Sequence, residues 1–109
     1  MAVTTHASGT QATTATVEHT LTANPETTAG AYQLMLDLNP LTAASTLHVR
    51  IKEKTISGGT QRVVWYDDLV GLVGEDKIWV SPVLMLINGW DMSITCSAAL
   101  SIPWSIRKA

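Results

Sequence analysis

The chain contains no phenylalanine, has a single cysteine (Cys96), and carries no lysine or arginine before Arg50. A lone cysteine excludes an internal disulfide framework and a thiolate zinc site. The longest uninterrupted apolar run, Val83-Leu84-Met85-Leu86-Ile87, falls far short of the roughly 20 residues that a membrane helix needs. Residues 1–15 have neither the basic start nor the apolar stretch of a secretory leader. The sequence therefore predicts a soluble, untargeted chain made in the cytoplasm, with no membrane partner. Charged residues make up only 15% of the chain and the net charge is −2, against roughly 25% charged residues in an average domain. Such a balance gives little counterion release and points away from nucleic acid.

What is present is apolar and β-forming. Hydrophobic residues are 46% of 109, enough for one small domain with a thin core. Ten of the fifteen threonines lie in the first 28 residues. Residues 1–46 hold only Glu18, Glu26 and Asp37 as charges, whereas all seven basic residues fall later. Residues 1–12 show no apolar period and read as a flexible N-terminal arm, with residues 13–109 as a single domain.

Period-two alternation runs through that domain. From Trp90 to Ile106 every second residue is apolar: Trp90, Met92, Ile94, Cys96, Ala98, Leu100, Ile102, Trp104 and Ile106. One face of such a strand lies in a core and the other in solvent. At ~3.3 Å per residue the run would span about 56 Å, so a bend or tight turn near residues 98–101 is expected to split it. Pro103 falls on the outward set, a position suited to a sheet edge. Tyr32, Leu34, Leu36 and Leu38 form a second alternating strand that Asn39-Pro40 ends, and Leu47, Val49 and Ile51 form a third. Ser57-Gly58-Gly59 reads as a hairpin turn before a return strand over residues 61–66. Residues 78–87 read as one strand interrupted at Pro82, and Asn88-Gly89 as a second hairpin. A weaker strand covers residues 14–22, with His19 among its inward positions. Residues 67–73 read as one short helical turn capped by Asp67 or Asp68. About seven short strands predict an all-β fold, an antiparallel β-sandwich or jelly roll with an extended N-terminal arm.

Chemistry is sparse in this pattern. His6, His19 and His48 lie outside metal-ligand spacing of one another and of Cys96. Cys96 sits on the apolar set, which predicts a buried, inert thiol. Asp67, Asp68, Glu75 and Asp76 surround a loop but lack the alternating pattern of a calcium loop. No nucleophile elbow or phosphate-binding glycine pattern occurs. The reading assigns no catalytic residue, no metal and no cofactor. His48, Arg50, Lys52 and Lys54 share one strand face, either a solvated stripe or a docking strip for an acidic protein surface. Trp90 and Trp104 belong to the core register. Val63, Trp65, Tyr66 and Trp79 lie on strands apolar on both faces, which implies a second cover. Trp and Tyr are enriched at interfaces, so these residues are candidates for a contact within a homo-oligomer, a dimer or a trimer.

Thr5-His6-Ala7-Ser8-Gly9-Thr10-Gln11-Ala12, followed by Val17-Glu18-His19-Thr20-Leu21, resembles short virion proteins of tailed bacteriophages. So do Thr28-Ala29-Gly30-Ala31-Tyr32, Leu36-Asp37-Leu38, Val49-Arg50-Ile51-Lys52, Ser57-Gly58-Gly59-Thr60 and the closing Pro103-Trp104-Ser105-Ile106. At residues 98–100 the similar proteins carry a longer, glycine-containing turn. The group includes head decoration, or cement, proteins that sit on the outer capsid surface between major capsid subunits. The resemblance implies a structural role with the major capsid protein as partner. It also implies an arm (Val3, Thr4, Thr5, His6, Thr10, Gln11, Thr13, Thr14) that reaches a neighbour. A sugar- or receptor-binding module using Trp65, Tyr66 and Trp79 is the rival expectation, with a head–tail connector or tail-tube component a third and a small hydrolase a distant fourth.

Overall fold

The computed structural model describes residues 2–22, 26–70 and 77–109. Within them the chain forms nine strands: β1 (Thr4–Ala12), β2 (Glu18–Thr20), β3 (Gly30–Asp37), β4 (Thr46–Lys54), β5 (Gln61–Val70), β6 (Ile78–Val80), β7 (Leu84–Leu86), β8 (Trp90–Cys96) and β9 (Ser101–Lys108). They build two antiparallel sheets stacked as a β-sandwich. One runs β1-β9-β3, with β6 and β7 both pairing the far edge of β3; the other runs β2-β8-β4-β5. The described residues contain no helix.

Alternation sets the core. Tyr32, Leu34 and Leu36 of β3 and Ile102 and Ile106 of β9 face Leu47, Val49 and Ile51 of β4 and Trp90, Met92, Ile94 and Cys96 of β8, all fully buried. Burying each large aliphatic side chain contributes about 1.5–3 kcal/mol, and these inner faces hold most of them. Trp104, half-buried, packs against this core from β9 beside Gly9 of β1.

Several expectations change here. Residues 4–12 are not a free arm: they form an edge strand paired with β9 from Thr4 opposite Lys108 to Ala12 opposite Ser101. Backbone pairing requires no apolar period, and β-branched threonine suits an extended edge. The strand expected over residues 14–22 shrinks to β2, because Thr16 adopts a φ of 65° that takes the chain out of extended geometry. Val17 is exposed as a result, whereas His19 keeps its inward register opposite Ile94.

The helical turn expected from residue 67 is absent over Asp67–Val70. These residues continue β5, which pairs β4 as far as Val70 opposite Thr46. The rest of that turn lies outside the described residues. The Ser57-Gly58-Gly59 hairpin does join β4 to β5, and a Cβ on Gly59 would lie 3.2 Å from the Ile56 carbonyl oxygen, closer than most side chains tolerate. Asn88-Gly89 makes no hairpin, since β7 and β8 belong to different sheets. Its backbone instead crosses the sandwich, held by Ile87 and Asn88 N–H groups donating to Glu53 Oε2 at 2.6 and 3.0 Å.

The long C-terminal run does divide into two strands, β8 and β9, and these too lie in opposite sheets. Thr13 pins the crossing: its hydroxyl donates to the Ala98 carbonyl at 2.8 Å and accepts the Leu100 N–H at 2.8 Å. β9 is an inner strand, yet Pro103 costs no ladder bond to β3, because that ladder stops at Trp104. The strand expected over residues 78–87 is interrupted around Pro82, as expected, and its two parts are β6 and β7. Between them the Ser81 hydroxyl accepts the Leu34 N–H at 2.9 Å, filling the gap that Pro82 opens beside β3.

Candidate interaction surface

The surface begins with β5, an edge strand of ten residues. Its register against β4 moves from Ile51 opposite Trp65 to Lys52 opposite Val63, so Val64 is the extra residue of a β-bulge. A bulge breaks alternation, and Val63 and Val64 consequently both face solvent. Tyr66 and Val70 are 61% and 69% exposed, and the neighbouring strands of the other sheet add Ile78, Val80 and Met85, the last 77% exposed. A groove of about 480 Å³ runs between β5 and β7, lined by Val63, Val64, Met85, Ile87 and Lys54 among others. These exposed apolar side chains are more than a small domain's solvent face needs.

The two tryptophans expected there are turned inward. Trp65 and Trp79 pack on each other with ring centroids 5.5 Å apart, half-buried against the core. The Trp79 indole N–H donates to Asp67 Oδ2 at 3.0 Å. They join β5 to β6 across the sandwich, leaving Val63 and Tyr66 as the exposed members of the expected interface. Of the three residues expected to form a sugar platform, Tyr66 alone is exposed.

The basic stripe lies on the outer face of β4, as its alternation predicts, but its charges are matched by adjacent strands. Lys52 Nζ donates to both Glu18 carboxylate oxygens at 3.0 and 2.9 Å, and the Ser93 hydroxyl donates to Glu18 Oε2 at 2.8 Å. Lys52 thereby holds the Glu18 carboxyl below its usual range, against the opposing effect of burial. Arg50 Nη1 donates to Asp68 Oδ1 at 2.9 Å, and His48 Nδ1 lies 2.6 Å from the same oxygen. These two hydrogen bonds, from His48 first and then Arg50, lower the Asp68 pKa. Arg50 also lies over the Tyr66 ring, 5.0 Å from its centroid. Only Lys54 of the four makes no ion pair among the described residues.

Of the residues expected to reach a neighbour, Val3, Thr4, Thr5, Thr10 and Thr14 are exposed and Gln11 is half-buried, but Thr13 is buried beneath the β8–β9 crossing. His6 is drawn inward. It is the extra residue of a second bulge, between Thr5 opposite Arg107 and Ala7 opposite Ile106. Its ring meets Tyr32 edge-on at 5.1 Å and Trp90 at 5.9 Å, and its Nε2 lies 3.4 Å from Glu26 Oε2. Tyr32 and Trp90 both donate to the Thr28 carbonyl, at 2.6 and 3.1 Å. Burial raises the Glu26 pKa, but the bonds from His6 and Thr28 outweigh it and the net shift is downward. Burial, with the Glu26 charge second, raises the Tyr32 pKa.

His6, expected on the arm, is thus an anchor of β1, and Asp91 is a buried carboxylate that the alternation does not reveal. Asp91 belongs to the polar, outward set of β8, yet it is only 2% exposed and its Oδ1 has no hydrogen-bond partner. Burial raises its pKa, and the facing Lys52 offsets this in part. Cys96 is a buried free thiol. Among the described residues no three His, Cys, Asp or Glu side chains are placed to share a metal ion. Glu75 and Asp76, from the acidic loop, lie outside them. Comparison of the chain with protein-family models, curated proteins and solved structures finds no match.

Proposed function

We propose that the chain is a structural virion protein that decorates a tailed-phage capsid from outside and stabilises it by binding between major capsid subunits. The observation that carries this reading is the exposed apolar groove of Val63, Val64, Met85 and Ile87 between β5 and β7, with Tyr66 exposed beside it on β5 and Val80 on β6. A side that exposes this much apolar surface is stabilised when neighbours cover it. The resemblance of its phrases to small phage virion proteins suggests the kind of neighbour: other subunits of a shell. In this reading β1 contributes through its open edge, adding to a neighbour's sheet by backbone hydrogen bonds. The Thr-rich edge and the apolar groove lie on different strands, so one chain can touch two subunits at once.

The test is addition of the purified protein to particles assembled without it. Saturable binding that raises the temperature at which the heads release DNA supports the reading. No binding to heads overturns it. Replacing Val80 and Met85 by lysine is expected to weaken the binding while leaving the fold intact, as both side chains are exposed.

A further inference from the structure

We infer that β5 pairs antiparallel with β5 of a second copy of this chain about a two-fold axis near Trp65. The inference deepens the self-association contained in the proposed role, but it does not rest on the shell, and its test uses the free chain alone.

Three observations carry it. First, among the described residues no strand pairs the outer edge of β5. An unpaired edge presents backbone N–H and C=O groups that another strand can satisfy. Three of the other edges are short: β2, β6 and β7 have three residues each. Second, β5 guards its edge only with the Val64 bulge and the charges of Arg62, Asp67 and Asp68. It has no proline and no lysine, and its Val63-Val64-Trp65-Tyr66 run favours strand geometry.

Third, the strand is charge-complementary to itself only in the antiparallel sense. At one end Arg62 lies opposite Glu53 with Lys54 beside it, two positive charges and one negative, a local +1. Arg62 makes no ion pair among the described residues. At the other end Asp68 accepts from Arg50 and Asp67 precedes it on β5, two carboxylates against one guanidinium. A second copy related by a two-fold axis sets each Arg62 end beside the partner's Asp67-Asp68 end, and brings Val64 and Tyr66 of both copies together at the centre. A parallel copy would set like charges against each other, which destabilises cross-strand pairs. The resulting contact is isologous and closed, as two-fold dimers are.

Sedimentation equilibrium of the full chain tests this. The wild type is expected at twice its 11.7 kDa mass. The double variant Val64→Lys/Tyr66→Lys is expected at the monomer mass, with the far-ultraviolet β-sheet spectrum retained. Should the double variant not fold, Tyr66→Lys alone gives the same reading at an exposed position. Arg62→Glu is expected to raise the dimer dissociation constant by about tenfold, because the like charge is introduced twice about the axis. A wild type that remains monomeric, or a lysine variant that folds and still dimerises, overturns the inference.

Discussion

The indole N–H of Trp79 on β6 donates to Asp67 Oδ2 on β5 at 3.0 Å, tying together the rims of two sheets that share no backbone ladder there. With the Trp65–Trp79 ring contact, this bond closes the side of the sandwich on which the apolar groove lies. Trp79→Phe keeps most of the ring packing but leaves the Asp67 carboxylate without its donor. It is expected to lower stability by about 1–2 kcal/mol, read as a lower midpoint in urea at an unchanged slope.

At the opposite rim, His6 anchors β1. Removing its ring takes away the edge contact with Tyr32 and the partner of Glu26. His6→Ala is expected to cost about 1–2 kcal/mol. Amide exchange is the discriminating measurement, because the faster exchange should be confined to β1 and the paired β9, while β4 and β8 keep their protection.

Asp91 works against the fold at neutral pH. Its pKa is raised in the folded state, so the penalty for holding it charged is present above that raised value and disappears as pH falls toward the unfolded carboxyl value. Asp91→Asn is therefore expected to be more stable than the wild type near pH 7, by about 1 kcal/mol. The advantage should shrink on acidification. Paired thermal melts of the two proteins from neutral to acidic pH check the sign.

Glu18 has the opposite sign. Its folded pKa is lowered, chiefly by Lys52. The stability it contributes is present above its unfolded value of 4.5 and is lost as pH falls through the lowered folded value. Lys52→Met removes the donor, so the variant's melting temperature should fall less steeply than that of the wild type below this pH. Glu18 is largely exposed, and added salt should narrow the difference.

The parts of the fold legible in the sequence are those where side-chain alternation reports burial directly. β3, β4, β8 and β9 all carry the inward residues their period-two pattern predicts, and Cys96 and Trp90 lie in the core as that register requires. Turn chemistry was legible locally but not globally. Ser57-Gly58-Gly59 returns the chain within one sheet, whereas Asn88-Gly89 carries it to the other, and two residues of turn do not encode which sheet the next strand joins. β1 was illegible because backbone pairing at an edge leaves no apolar mark. Asp67-Asp68 resembled a helix cap, but β4 supplies a full pairing partner that outweighs local propensity.

The candidate surface was half legible for the same reasons. Apolar residues on both faces of residues 63–66 signalled a strand with too much to cover, and Val63, Val64 and Tyr66 are exposed. The bulge that places two valines side by side, and the tryptophan pair that turns inward, depend on register against β4 and β6. The basic stripe was visible on one strand, but Glu18 and Asp68, which match it, come from strands far away in sequence.

The central claim is a place in a virion, and image reconstruction of the whole particle tests it most directly. The account predicts density for a small two-sheet sandwich on the outer surface of the head, seated between major capsid subunits and absent from particles that lack this chain. Density for the chain in the tail, inside the head, or nowhere in the mature particle would contradict it.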